Sequence, residues 1–453
     1  AASDVYKRQP LGQFESLSGR DGATVHRHSA RRQMANWPIF DSTAEIGHNG
    51  AMSQRPPRAD ARRLALARLI SMAGNMAAGI ALAAVMWERT HSSAWVAAGA
   101  LSTSLVAGIV TPITGALADR YDRRRVMIGS DLLAAVAFGL LAGLVAVDAP
   151  PATFLVAAAI GAVMESPFVP ASRAALPNLV TDEDVPWANG LLGQVSGLSA
   201  AVGPLAGGAL TGFLSGSVAL GFNAVTFVAS AWLVHSIRRS FSGDAAAAHA
   251  SRRSMVREGF GVVRRTPLVR GVIVSGFVAF IGVGFVIAAN PALADQEGAG
   301  PIGLGALWAG WGIGTIIGAT LAPRFLQPER ELAIVIIGFT LQGLALGAAA
   351  VLPFWFVVAS QSLGGIGGGL ADPARHTLIQ RTVADHLRGR VIAVMEAAGW
   401  MSFAISLVAA GLLVDVIGLR ESYALASALF LVGTLLLVAL RGRATNVAQP
   451  ERS

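Results

Sequence analysis

Cysteine is absent from this sequence, which excludes disulfides, thiol nucleophiles, iron–sulfur clusters and cysteine-ligated zinc. Lysine occurs once, at Lys7. A Walker A loop needs a lysine after its glycines to reach the phosphates, so an ATP-hydrolysing pump of that type, a kinase and a Schiff-base enzyme are excluded too. Charge is also scarce: 14% of the residues are Asp, Glu, Lys or Arg, against about 25% in an ordinary soluble domain. Hydrophobic side chains make up 53% of the 453 residues, and the mean hydropathy is +0.57. A soluble fold would have to expose much of that surplus, so the expected solvent is lipid. At about 20 residues per helical span, the ~390 residues beyond the polar beginning have room for roughly a dozen spans. The net charge of +8 does not point to nucleic acid, because the arginines stand between apolar runs, where they set membrane orientation.

Residues 1–63 are of a different material. They are polar, rich in Arg, Ser, Gly and His, and lack periodicity, which reads as a disordered cytoplasmic tail. They carry neither the apolar core nor the cleavage pattern of a signal peptide. Met34 and Met52 are alternative starts, and the stretch from Ser3 to Gln9 resembles a translated sequencing adapter more than coding sequence. Residues 1–51 are assigned no function; a basic lipid-binding tail is the alternative reading.

From Arg63 onward, apolar runs alternate with short polar breaks. The expected spans are 64–86, 94–117, 126–147, 152–176, 187–213 and 217–237, then 271–294, 303–323, 332–352, 354–378, 391–415 and 422–440. Residues 238–270 form an arginine-rich linker and 441–453 a second tail. The fold class expected is an all-α membrane protein of twelve helices. With the amino terminus inside, the inner loops hold Arg120, Arg123, Arg124, Arg125, the cluster from Arg238 to Arg270, Arg324, Arg330, Arg375, Arg381, Arg388 and Arg390. The outer loops hold only Arg89 and Arg420. That asymmetry obeys the positive-inside rule with both termini cytoplasmic. The halves also repeat. Gly115 and Gly318 close spans 2 and 8 and are 203 residues apart, as are Gly208 and Gly411 in spans 5 and 11, while Arg173 and Arg375 are 202 apart. A common offset at three places argues for two pseudo-symmetric six-helix halves, 64–237 and 271–440.

The segment Gly115-Ala-Leu-Ala-Asp119-Arg120-Tyr-Asp122-Arg123-Arg124-Arg125 resembles the signature loop of the major facilitator superfamily, with Asp122 where glycine is common. Pro170-Ala-Ser-Arg-Ala-Ala-Leu-Pro177, Ala188-Asn-Gly190, Glu258-Gly259, Arg264-Arg-Thr-Pro267 and Arg388-Gly-Arg390 resemble its enterobactin-exporter-like branch. The resemblance covers about residues 60–440 and implies a cytoplasmic gate in which Asp119 caps the start of the eleventh helix and pairs with loop arginines. Gly115, Asp119, Arg120, Arg123 and Arg124 are its candidates; a carboxylate beside a helix N-terminus and guanidinium groups gains charge-assisted hydrogen bonds. Gly190, Gly203, Pro204, Gly207 and Gly208 resemble the family's antiporter motif, with Ser199 at a usual glycine position. Ordinary small-residue helix packing accounts for the same residues almost as well.

Charges in hydrocarbon are costly and therefore functional candidates. Glu165, near the middle of span 4, is the first choice for proton coupling; a carboxylate paired with an arginine, or capping the break at Pro167, is the alternative. Asp372 and Arg375 lie three apart and can face each other as a structural or gating pair. Glu396 can meet the first-loop arginines, Asp131 reads as local pairing, and Arg68 as a side chain that snorkels to the surface. Asn75, Gln194, Asn223, Gln342 and Gln361, with Trp308, Trp311 and Phe280, are candidates for a substrate cavity, although helix–helix hydrogen bonds account for lone amides as well. No histidine pair within a span has metal-ligand spacing, and neither a metal nor a cofactor is implied.

The expected function is proton-coupled efflux of a small amphipathic molecule, drug or siderophore in class, by alternating access in a bacterial inner membrane. The expected partners are that small molecule, protons and the bilayer, with no nucleic acid, and the expected working unit is a monomer. A nutrient facilitator or importer is the nearest rival. A lipid-acting enzyme lacks a nucleophile–base constellation, and a non-transporting receptor would tolerate changes at Asp119 and Glu165.

Overall fold

The computed structural model describes residues 57–238, 241 and 252–447; side chains are described for all of these except 57, 105–109, 111–113, 115–120, 182, 252–257 and 442–447. The tail reading of residues 1–56 therefore lies outside the described residues. A backbone in lipid has no water to bond with, so each crossing segment must satisfy itself as a helix. Fourteen α-helices carry the described chain: α1 Pro57–Thr90, α2 Ser93–Arg120, α3 Arg123–Ala146, α4 Pro151–Glu165, α5 Phe168–Ala175, α6 Val185–Phe213, α7 Gly216–Ser236, α8 Arg252–Arg265, α9 Pro267–Gln296, α10 Gly300–Phe325, α11 Glu331–Ala349, α12 Phe354–Thr382, α13 Asp385–Ile417 and α14 Leu419–Val447.

Among the described residues, ten helical segments are long and apolar enough to cross a membrane, α4 and α5 together forming one of them, Pro151–Leu179. The other two long helices, α2 and α6, have 28 and 29 residues. In α6 the glycines, Asn189 and Gln194 dilute the apolar character. The outward faces are apolar: Val136, Leu140, Trp232 and Leu412 are each more than 60% exposed. Such a surface suits acyl chains and not water. This is a multi-pass membrane protein.

Three element boundaries differ from expectation. Residues 57–63 belong to the first helix, not to a tail, because Pro57 is suited to a first helical position and Arg58 anchors the helix start by donating to Asp184 at 2.8 Å. The fourth span is broken at Ser166–Pro167, where proline removes a backbone donor and clashes with the preceding turn. The linker is not all irregular: α8 lays Val263 against Val391 and Met395 of α13, and α9 already starts at Pro267.

Helices α1 to α7 pack mainly on one another, as do α9 to α14, and α8 leans on α13. Within the first set Phe138 of α3 meets Phe227 of α7, with ring centroids 5.6 Å apart. Within the second, Phe339 and Phe430 stack edge-on in the largest apolar cluster. The two sets join along α6–α10 and α2–α13. Glycine makes the first seam: a Cβ on Gly208 would stand 2.6 Å from the Pro301 carbonyl oxygen. Without water to drive association, such close backbone approach is what holds helices together in a bilayer.

Candidate functional site: a central cavity and a buried acidic cluster

A cavity of about 540 Å³ opens among α9 to α14, with Ser104 of α2 on its edge. Trp308 and Trp311 sit one helical step apart on α10 with their rings edge-on at 6.4 Å; Trp400 and Phe403 do the same on α13 at 6.2 Å. Gln342 and Gln361 enter from α11 and α12, the former donating back to the Gly338 carbonyl at 3.3 Å. The Nε2 of Gln361 is buried without a partner. At the base, Asn290 accepts from the buried Tyr423 hydroxyl.

Charged groups line the same cavity. Arg375 donates to Asp372 at 2.5 Å and lies 5.3 Å over the Phe280 ring; His376 meets Glu396 at 3.4 Å. Asp372, Arg375 and Glu396, expected as gate residues, thus stand together on the cavity wall. Glu396 meets His376, where the first-loop arginines were expected. Of the amides expected in the cavity, Asn75, Gln194 and Asn223 are elsewhere. Asn75 donates to Glu165, Asn223 is fully buried beside Gly74 and accepts from Thr226, and Gln194 is exposed on α6. Sequence reasoning missed Trp400 and Phe403. Trp400 lies four residues after Glu396, one turn along the same helical face, and that spacing was the available signal.

Glu165 is the last residue of α4, at the break before Pro167, and its Oε1 accepts from Asn75 Nδ2 at 3.0 Å. Beside it, the Ser130 hydroxyl donates to the Met164 carbonyl at 2.8 Å, which brings α3 against the end of α4. The next residue, Asp131, is fully buried, with the Ser230 hydroxyl of α7 beside its carboxyl. Among the described residues no cation pairs with Asp131. Arg68 does not snorkel: it is 3% exposed and donates to Ser172 at 3.2 Å, because α5 folds over it after the break.

The side chains of Gly115, Asp119 and Arg120 lie outside the described ones. Arg123 donates to the Ala174 and Phe241 carbonyls, at 2.9 and 3.1 Å, and Arg124 stacks on Phe241, so these arginines tie α5 and residue 241 to α3. At this arginine-rich end, every ion pair between described residues joins members of one helix set. One of them, the hydrogen bond from Arg58, holds the Asp184 carboxyl below its ordinary range. At the opposite end the sets are joined directly. Asp415 of α13 accepts from the Ser93 backbone N–H at 3.1 Å and from the Ser92 hydroxyl, capping α2, and Trp87 Nε1 donates to Asp295 at 3.0 Å. Trp87 and Asp295 also line a second cavity of about 560 Å³ at that end. In the antiporter-like stretch, Gly203 and Gly207 face the α1 backbone, Gly208 faces α10, and Gly190 has open space around it.

Comparison with known proteins completes the description. The family model described as Major Facilitator Superfamily matches residues 64–332 and 272–453. The chain is 28% identical over 401 residues to the multidrug efflux pump Tap of Mycolicibacterium fortuitum, covering 84% of this chain and 96% of that one. It is 26% identical over 394 residues to the enterobactin exporter EntS of Shigella boydii, covering 84% and 91%. Among solved structures, the nucleoside transporter NupG superposes with a TM-score of 0.68 over 84% of this chain and 98% of that one, at 13% identity.

Proposed function

Because the chain belongs to the major facilitator superfamily and is a transporter, not an enzyme, we propose that it exports a small amphipathic molecule in exchange for protons. Twelve spans in two six-helix halves, with both termini on the cytoplasmic face of a bacterial inner membrane, form the working unit as a monomer. The observation that carries this reading is the one-sided closure. The two helix sets meet at the end bearing Asp415, Asp295 and Trp87, while at the arginine-rich end the ion pairs between described residues, such as Arg375–Asp372 and Arg381–Glu331, join neighbours within a set. That is the arrangement of a carrier open to the arginine-rich side, with its central cavity accessible from there. Rocking of the halves about the α6–α10 seam would break the Asp415 cap and close the arginine-rich end. Asp119, Arg120, Arg123 and Arg124, on the Gly115 turn, would form the closing gate.

Glu165 carries the proton in this reading. It stands at the break between α4 and α5, it is held by an amide and not by a cation, and a proton can reach it as the helices part. Tap and EntS are named for efflux, which favours export as the direction. The test is flux driven by a pH gradient in proteoliposomes, with a dye, macrolide and siderophore panel. Glu165→Gln should abolish uphill transport at least tenfold while downhill exchange survives. Uphill transport intact in that variant would remove Glu165 from coupling, and proton movement in the same direction as the solute would make the protein an importer.

A further inference from the structure

The central cavity presents its charges unequally. The side chains of Asp372 and Glu396 are 61% and 55% exposed, whereas that of Arg375 is 13% exposed, tied to Asp372 and covered by the Phe280 ring. The Nε of Arg375 is buried and unreachable. His376 is the other ionisable group at the site, and its ring already points at Glu396. Of the described arginines, Arg375 is the one on the cavity wall; nearby, Arg381 pairs with Glu331, Arg388 with Asp385 and Arg390 with Glu258. On the described cavity wall an entering molecule therefore meets two carboxylates and, as its one guanidinium, the mostly covered Arg375.

Next to those carboxylates stand aromatic faces. Trp400, one turn beyond Glu396 on α13, is 48% exposed, and Trp311 across the cavity is 37% exposed. An indole face beside a carboxylate attracts a positive group twice, through its quadrupole and through the charge, and both effects grow as water is excluded. A cavity of about 540 Å³ with mostly apolar walls suits a drug-sized body.

We infer that this cavity selects its cargo by charge, taking an amphipathic cation whose positive group lies between Glu396, Asp372 and the Trp400 ring and whose apolar body lies against Trp308 and Trp311. The inference rests on the proposed transport reading and narrows its cargo to one sign of charge. Anionic catecholates and other acids are rejected by the same carboxylates.

Two probes of nearly equal shape and opposite charge test it: tetraphenylphosphonium and tetraphenylborate. Each competes against radiolabelled tetraphenylphosphonium on the full chain in zwitterionic nanodiscs, with empty discs setting the lipid background. The phosphonium should bind at least tenfold more tightly than the borate. Glu396→Gln should cut that ratio about tenfold by weakening the phosphonium alone, Glu396→Asp should keep it, and Asp372→Asn should lower it as well. Circular dichroism and gel filtration establish that each variant is folded. Equal or stronger binding of the borate, no binding of either probe to the wild type, or a ratio unmoved by Glu396→Gln would overturn the assignment. Charge selection with no proton-driven flux would instead reject the coupling at Glu165 and leave the cargo class standing.

Discussion

Asp131 is where a single residue tests the reading of this molecule most sharply. An anion there has the Ser230 hydroxyl of α7 beside it but no described cation to meet it, and an uncompensated buried charge costs several kcal/mol. A neutral carboxylic acid would escape that cost. In infrared difference spectra at neutral pH, the carbonyl band of a weakly hydrogen-bonded carboxylic acid should be present in the wild type and lost in Asp131→Asn. It should survive in Glu165→Gln; a band that instead follows Glu165 would place the buried proton there alone. The sequence exposed Asp131 as an acid near the start of an apolar run but could not say what faced it. Its polar neighbours, Glu165 of α4 and Ser230 of α7, stand 34 and 99 residues along the chain. The same limit applies to Arg68: a long side chain near a span end normally reaches water, and only the fold-back of α5 after Pro167 prevents it.

Among the elements, α6 shows how glycine decides packing. Gly207 lies against the Ala77 carbonyl of α1, and Gly208 lies against Pro301 and Gly305 of α10, so both sides of α6 are in backbone contact at one level. Gly190, from the same motif, meets nothing within 4 Å. Gly208→Val should push the two helix sets apart at the closed end. Overpacking of this kind costs typically about 1–3 kcal/mol, enough to lower the thermal midpoint by several degrees. Gly190→Ala should leave the midpoint unchanged. Equal effects of the two substitutions on tryptophan-monitored melting would mean that the motif acts through something other than close approach. The small-residue pattern was legible in the sequence, as was its position within a span. Which glycines touch which helix was not, because periodicity gives the face of a helix and not its partner. Helix positions were legible for the same reason, as was a break at Pro167, while the helix in the linker depends on its contacts with α13.

At the scale of the whole molecule, the scarcity of charge and the recurring apolar runs made the multi-pass membrane class readable before any coordinates, while the two-half symmetry argued from offsets of 202 and 203 residues stays a proposal. The state was not readable, since a sequence that supports two packings does not say which is populated. The structure shows one arrangement, in which the helix sets bond at the end bearing Asp415 and Trp87. Its closed end relies on few polar contacts, chiefly the Asp415 cap on α2 and the Trp87–Asp295 bond, so removing one should shift the balance. The absence of cysteine makes this measurable with introduced labels. Thr181 and Gln327 are exposed at the arginine-rich end, and Val147 and Val351 at the other. With spin labels on cysteines at these pairs, Asp415→Asn should lengthen the Val147–Val351 distance and shorten the Thr181–Gln327 distance in the same population of molecules. Coupled and opposite changes are the signature of two rigid halves rocking about a central site. A change at one end alone would mean local opening of a loop, and the alternating-access reading would lose its support.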